Sequence, residues 1–222
     1  MSDTEGFAPT HELRAALEAL ADTAKAEPMA AYMRDKFVFL GISAKDRRAA
    51  VKPWLRYAKR AEPDELLDLA QWCWAQTERE FHHVGADALR AGAKNLRTVD
   101  LEAVRSLATT HSWWDTVDAL AAWTVGPLVA NHDLGSAMDE WIHDADFWVA
   151  RIAILHQLGY KDRTNGARLF RYAELRASDT EFFIRKALGW ALRQYARVAP
   201  DEVRALSTLA ANNSQGSRCA RQ

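Results

Sequence analysis

The segment SWWDTVD, residues 112–118, sets a carboxylate beside an indole. Trp114 and Asp118 are four residues apart, which makes them neighbours on one face of a helix. A fixed carboxylate of this kind can stabilise a positive charge that develops during a reaction, or orient and deprotonate a water. Ser112 and Asp115 have the spacing of an N-cap with an acid three residues on, so Asp115 is expected to serve the helix start while Asp118 has no equally plain structural duty. A surface acid beside a half-exposed tryptophan is the alternative that spacing leaves open. A second group lies in residues 181–199, EFFIRKALGWALRQYARVA. At about 100° per residue, Lys186, Trp190, Arg193 and Arg197 fall in one stripe, opposite Ile184, Leu188, Ala191 and Tyr195. Cations around an exposed indole suit nucleic acid, the cations taking phosphates and the ring packing on sugar or base. Lys and Arg stems lying on an indole would give the same pattern without any ligand. The third is Arg151, which shares a helix side with Phe147, Ile154, Leu155 and Leu158. A guanidinium in an apolar run requires either a carboxylate, such as Asp118 from the preceding repeat, or a phosphate.

Other chemistries find no foothold. There is no phosphate-cradling Gly-rich loop, zinc-protease helix or Gly-x-Ser-x-Gly elbow. Asp139 and His143 resemble a metal pair but have no evident third ligand. Cys73 and Cys219 cannot build a disulfide framework or a four-thiolate site, which fits a reducing compartment. No metal or cofactor is expected.

These groups must be positioned by helices. Apolar residues recur at i, i+3, i+4 from Leu13 almost to Leu209, without alternating strand patterns, so the fold class is all-α. Breaks are expected near Glu27-Pro28, Gly41-Ile42-Ser43, Glu62-Pro63, Thr98, His111-Ser112, Asn131-His132-Asp133, Asp144-Ala145-Asp146, Thr164-Asn165-Gly166, Ser178-Asp179 and Ala199-Pro200, giving about a dozen helices. Pro53 and Pro127 should kink or end their segments. Glu80-Phe81, Ser112-Trp113, Asp146-Phe147 and Glu181-Phe182 repeat with spacings of 32, 34 and 35 residues. Two helices per such period indicate an α-solenoid of the HEAT or TPR kind, here with a concave basic face. One domain over residues 1–222 is expected, with residues 1–10 and 212–222 flexible.

The net charge of −1 hides an asymmetry. Residues 147–222 carry 13 Lys+Arg against 6 Asp+Glu, or +7, leaving 16 against 24, or −8, for residues 1–146. Such polarity suits a polyanion-binding surface, although a basic half can also be simply solvated. Nine tryptophans are many for this length, and some should serve surfaces that act. The opening residues lack a basic stretch followed by an apolar one, and nowhere do eighteen apolar residues run together. The expectation is a soluble, cytoplasmic protein without a membrane partner.

The residues quoted resemble the AlkC/AlkD family of bacterial DNA alkylation repair glycosylases, which are built from HEAT-like repeats. The likeness runs from residues 27–33 (EPMAAYM) through Phe39-Leu40-Gly41-Ile42 and Arg47-Arg48 to SWWDTVD, to residues 148–155 (WVARIAIL) and to FFIRKALGWALRQYA. It implies Asp118, Trp114 and Trp190 as catalytic residues and Arg151, Tyr32, Arg47 and Arg48 at the DNA, together with Lys186, Arg193 and Arg197 of the basic stripe. Double-stranded DNA would be the partner and the protein a monomer. The implied activity is hydrolysis of the N-glycosidic bond of 7-methylguanine and 3-methyladenine, the first step of base excision repair. A noncatalytic HEAT-like protein that binds damaged or branched DNA is the alternative. The tail NNSQGSRCARQ departs from the basic final helix usual in the family.

Overall fold

The computed structural model describes residues 10–205. They form thirteen α-helices: α1 (Thr10–Glu18), α2 (Thr23–Tyr32), α3 (Ala44–Ala50), α4 (Lys52–Ala58), α5 (Pro63–Trp74), α6 (Arg79–Gly92), α7 (Leu101–Thr109), α8 (Trp114–Leu120), α9 (Gly126–His132), α10 (Gly135–Trp141), α11 (Phe147–Leu155), α12 (Gly166–Leu175) and α13 (Phe182–Tyr195). Beyond an isolated bridge between Val38 and Glu78, no strand occurs among the described residues. The expected loose ends lie outside these residues, except that Thr10 opens α1.

At several of the expected breaks polar side chains cap the next helix. Ser43 accepts from Asp46 N, Asp146 from Trp148 N and Asn165 from Arg168 N. Pro53 and Pro127 both stand in the first positions of a helix, where a missing N–H costs nothing. The break at Glu27-Pro28 is absent: Pro28 lies inside α2 and removes only one rung of the helix ladder. Ser112 does not cap α8. Its N-cap is Trp113, whose side chain makes no capping bond and is buried between Trp148 and Phe183, at ring-centroid distances of 5.9 and 5.1 Å.

The repeat read from the aromatics appears as a row of helices. α6, α8, α11 and α13 begin at residues 79, 114, 147 and 182, and each packs against the next. Behind them, α5, α7, α10 and α12 each pack on the member of the row that follows in sequence. Side chains of one repeat tie off backbone carbonyls of another at almost the same sequence separation. Trp74 Nε1 donates to Thr110 O (3.2 Å), Asn95 Nδ2 to Ala61 O (3.0 Å), Tyr160 OH to Gly126 O (2.7 Å) and Arg176 Nε to Ile142 O (2.9 Å), the partners being 36, 34, 34 and 34 residues apart. Carbonyls at helix C-termini lack intrahelical donors, and the bonds to Thr110 O and Ile142 O, at the C-caps of α7 and α10, supply them. At the centre, α11 is buried from Trp148 to Leu155, as a helix apolar nearly all round should be. Each of its large apolar side chains contributes roughly 1.5–3 kcal/mol of burial.

Candidate active site

α8 carries the carboxylates, and two arginines from neighbouring repeats define them. Arg151 of α11 donates from Nε to Asp118 Oδ1 at 2.7 Å and from Nη2 to Asp118 Oδ2 at 2.8 Å, while its Nη1 bonds Phe183 O at the start of α13. Arg79, the first residue of α6, donates to Asp115 from Nε (3.0 Å to Oδ2) and from Nη2 (2.5 Å to Oδ1). Asp115 therefore does not act in a capping pair with Ser112; it belongs to a buried network that also takes His83 Nε2 at 2.7 Å. Of the two partners open to Arg151 in the sequence, the geometry favours the carboxylate over a phosphate: its side chain is 5% exposed and its guanidinium is already engaged.

The two acids, one turn apart, sit in opposite electrostatic settings. Burial pushes the Asp118 carboxyl above its usual range, opposed by the hydrogen bonds and charge of Arg151. Burial acts upward on Asp115 too, but hydrogen bonds from His83 and Arg79 outweigh it and hold the group well below the usual range. Asp118 retains 14% side-chain exposure and opens on a cleft.

That cleft, of about 360 Å³, is lined by Asp118, Ala119, Ala122, Trp123, Leu158, Trp190 and Gln194. Its size falls within the range of small-ligand sites. Trp190 is 39% exposed, as its place in the basic stripe of α13 predicts, and Trp123 is 43% exposed. Nothing in the sequence marks Trp123 as a site residue. Five α-helical steps place it about 140° from Asp118, yet residues Ala121–Val125 form a π turn, whose i→i+5 closure advances the register by one residue. Trp114 stands apart from the cleft lining, half-buried, edge-on to the exposed Tyr32 with ring centroids 6.1 Å apart. The structure thus gathers Asp118, Arg151 and Trp190 in one place, with Trp114 on the same helix as Asp118 and Tyr32, at the end of α2, against Trp114.

Cations flank the cleft on both sides. On α13, Arg185, Lys186 and Arg193 line a groove with Phe182 and Gly189, and Arg197 is exposed just past the helix end. On the other side, Arg48, Lys52, Arg56, Lys59 and Arg90 line a groove with Leu55, Asp87 and Ala91. Lys59 continues into a second groove with Arg60, Lys94 and Arg97. The Arg90 guanidinium lies 4.5 Å from the ring centroid of Trp123 and so joins these grooves to the cleft. Arg48 remains half-exposed while pairing with Asp87 at 3.2 Å. Arg47 is different: its side chain is 6% exposed, paired to Asp87 at 3.2 Å and to His83 Nδ1 at 3.1 Å, which takes it out of the set of surface cations expected at DNA. Asp139, whose spacing to His143 resembles a metal pair, is instead held by Arg168, Arg171 and Tyr172.

Stacked helix pairs that present a buried, arginine-held carboxylate between exposed indoles, with cationic grooves to either side, define an all-α repeat fold with a mostly apolar cleft around Asp118. The chain belongs to the DNA alkylation repair enzyme family, whose model matches residues 13–222. It is similar to a solved structure described as a predicted DNA alkylation repair enzyme from Enterococcus faecalis, with a TM-score of 0.79 and 31% sequence identity over 84% of this chain and 88% of that one. No curated protein matches the chain at a significant level.

Proposed function

We propose that this protein is a DNA glycosylase that hydrolyses the N-glycosidic bond of cationic N-alkylated purines, with 7-methylguanine and 3-methyladenine as its substrates in double-stranded DNA. The observation that carries this reading is the single carboxylate lining the cleft. Glycosidases ordinarily need a second carboxyl as general acid to protonate the leaving group. An N-alkylated purine already bears that charge and departs neutral. What remains for Asp118 is electrostatic. As the bond breaks, it faces the positive charge that develops on the deoxyribose and orients or deprotonates the attacking water.

Arg151 acts through Asp118, fixing the plane of the carboxylate with a two-pronged grip. Trp190 and Trp123 offer π faces to the cationic sugar and keep bulk water from Asp118. The exposed cations on α3, α4 and the end of α6 on one side, and on α13 on the other, take backbone phosphates of the duplex. Tyr32 and Trp114 extend the aromatic wall. Incubation with a duplex containing one 7-methylguanine, followed by alkaline cleavage at abasic sites, tests the reading. Cleavage at the lesion position supports it; tight, salt-dependent binding with no base release makes the protein a noncatalytic DNA binder instead.

A further inference from the structure

Among the described residues, Arg79 is the largest fully buried side chain, at 0% exposure. A guanidinium has five N–H donors, and every one is used. Nε donates to Asp115 Oδ2 (3.0 Å), Nη1 to His82 Nδ1 (2.9 Å) and His111 O (2.9 Å), and Nη2 to Asp115 Oδ1 (2.5 Å) and Thr116 Oγ1 (3.0 Å). The Phe37 ring covers the guanidinium face, 3.7 Å from the centroid. Three of the four partners, His111, Asp115 and Thr116, lie within the six residues that enter α8. His111 has φ 51°, a left-handed conformation that a non-glycine residue adopts only when held. α8 has no side-chain cap of its own, so its start is fixed from outside.

A buried ion pair is weak evidence for stability, since well-packed apolar residues serve as well or better. What a saturated guanidinium supplies that apolar packing cannot is direction. It sets the rotation and axial position of the first turn of α8, which bears Trp114, and hence of Asp118 one turn after Asp115.

We infer that Arg79 is a positioning residue for the reaction at Asp118, holding the entry to α8 so that the Asp118 carboxylate faces the cleft at the right place. This rests on the glycosylase reading. The arrangement also neutralises the Asp115 charge beside Asp118, so losing Arg79 alone should change how Asp118 titrates.

The test uses the full-length protein and a duplex with one 7-methylguanine under single-turnover conditions, comparing the parent with Arg79→Lys, Arg79→Met and the double variant Arg79→Met/Asp115→Leu. The double variant removes both charges together and is chosen to keep the fold. Leu17→Ala, in the distant core of α1, serves as a destabilised control with rates corrected for folded fraction. The expected result is a base-release rate per folded molecule lowered on the order of tenfold to a hundredfold in Arg79→Lys and in the double variant, with duplex affinity within about twofold of the parent and the control at the parental rate. In Arg79→Met, the acidic limb of the pH–rate profile should move to higher pH, because the Asp115 charge is left uncompensated. If the double variant releases base at the parental rate, Arg79 is structural only and the inference falls while the glycosylase reading stands. If the parent itself releases no base, that reading falls and the inference with it.

Discussion

Arg151 Nε and Nη2 meet Asp118 Oδ1 and Oδ2 at 2.7 and 2.8 Å, a fork-to-fork pair between helices whose residues are 33 positions apart. Removing one member leaves the other as a buried charge without its partner. Arg151→Ala should therefore lower unfolding free energy by ~3–5 kcal/mol, measured by urea denaturation. The slope of log affinity for DNA against log salt should stay unchanged in the folded fraction, because a guanidinium this enclosed releases no counterion. A slope lowered by about one unit would return Arg151 to the role of phosphate contact.

Asp118→Asn keeps the shape of the side chain and removes its charge. DNA affinity should persist or rise, since a negative group near phosphates is gone, while base release should fall by a factor on the order of 10² or more. Stability should drop as well, because Arg151 loses its counter-charge, so rates are to be compared at a temperature where both proteins are folded. Excision of 7-methylguanine at the parental rate would remove the carboxylate from the mechanism.

Much of this arrangement is legible in the sequence because it depends on local period. The helix class, the 32–35-residue repeat and the outward face of Trp190 all follow from apolar spacing and capping residues, and they recur in the structure as the row α6, α8, α11, α13. What escapes the sequence depends on contacts between repeats or on a departure from helical register. Arg79 lies 36 residues from Asp115, and nothing in the local pattern of α6 separates it from a solvated arginine. Ser112 and Asp115 have good capping spacing, yet tertiary packing of Trp113 and the pull of Arg79 override it. Trp123 reaches the cleft only through a π turn. The cations of residues 44–60 are hidden by averaging: a net of −8 over residues 1–146 obscures a local stripe spaced about four residues apart.

Trp123 and Trp190 line the same cleft from different helices and are 43% and 39% exposed. Either truncation should cost well below the ~3–5 kcal/mol of a core tryptophan. Trp190→Ala and Trp123→Ala should each reduce base release, and the double variant more than either alone. Thermal melts alongside the excision assay decide the matter: marked unfolding with undiminished rate per folded molecule would make both indoles packing residues.

Two buried histidines link stability to pH. His82 accepts from Arg79 at Nδ1 and faces Gln76 O with Nε2, a neutral tautomer, and burial lowers its pKa to about 4; burial does the same for His156, also to about 4. Both lie below the 6.5 of a free imidazole, so the unfolded chain takes up these protons first. The stability they contribute is whole above about pH 6.5 and is lost as pH falls towards 4, by on the order of 3 kcal/mol for each ring. Urea midpoints measured between pH 7 and 4 should decline along this range, and the decline should be smaller in His82→Gln. A flat profile would mean that these rings titrate normally in the fold.

Arg48, Lys52, Arg56 and Lys59 lie at intervals of four, four and three residues along α3, α4 and the residue after it, and with Arg90 they line one groove that meets the cleft at Trp123. Unlike Arg47, Lys52 and Arg56 are exposed and no acid pairs with them among the described ion pairs. If this groove takes the phosphates of the duplex flanking the lesion, Lys52→Ala and Arg56→Ala should each weaken binding to damaged and undamaged duplex alike and lower the salt slope by about one unit. The effects of the two should add, stability should stay within about 0.5 kcal/mol of the parent, and single-turnover base release at saturating protein should be unchanged, since neither side chain lines the reaction cleft. Fluorescence-anisotropy titrations from about 50 to 200 mM salt measure this directly. Unaltered slopes in both variants would confine phosphate binding to the α13 side.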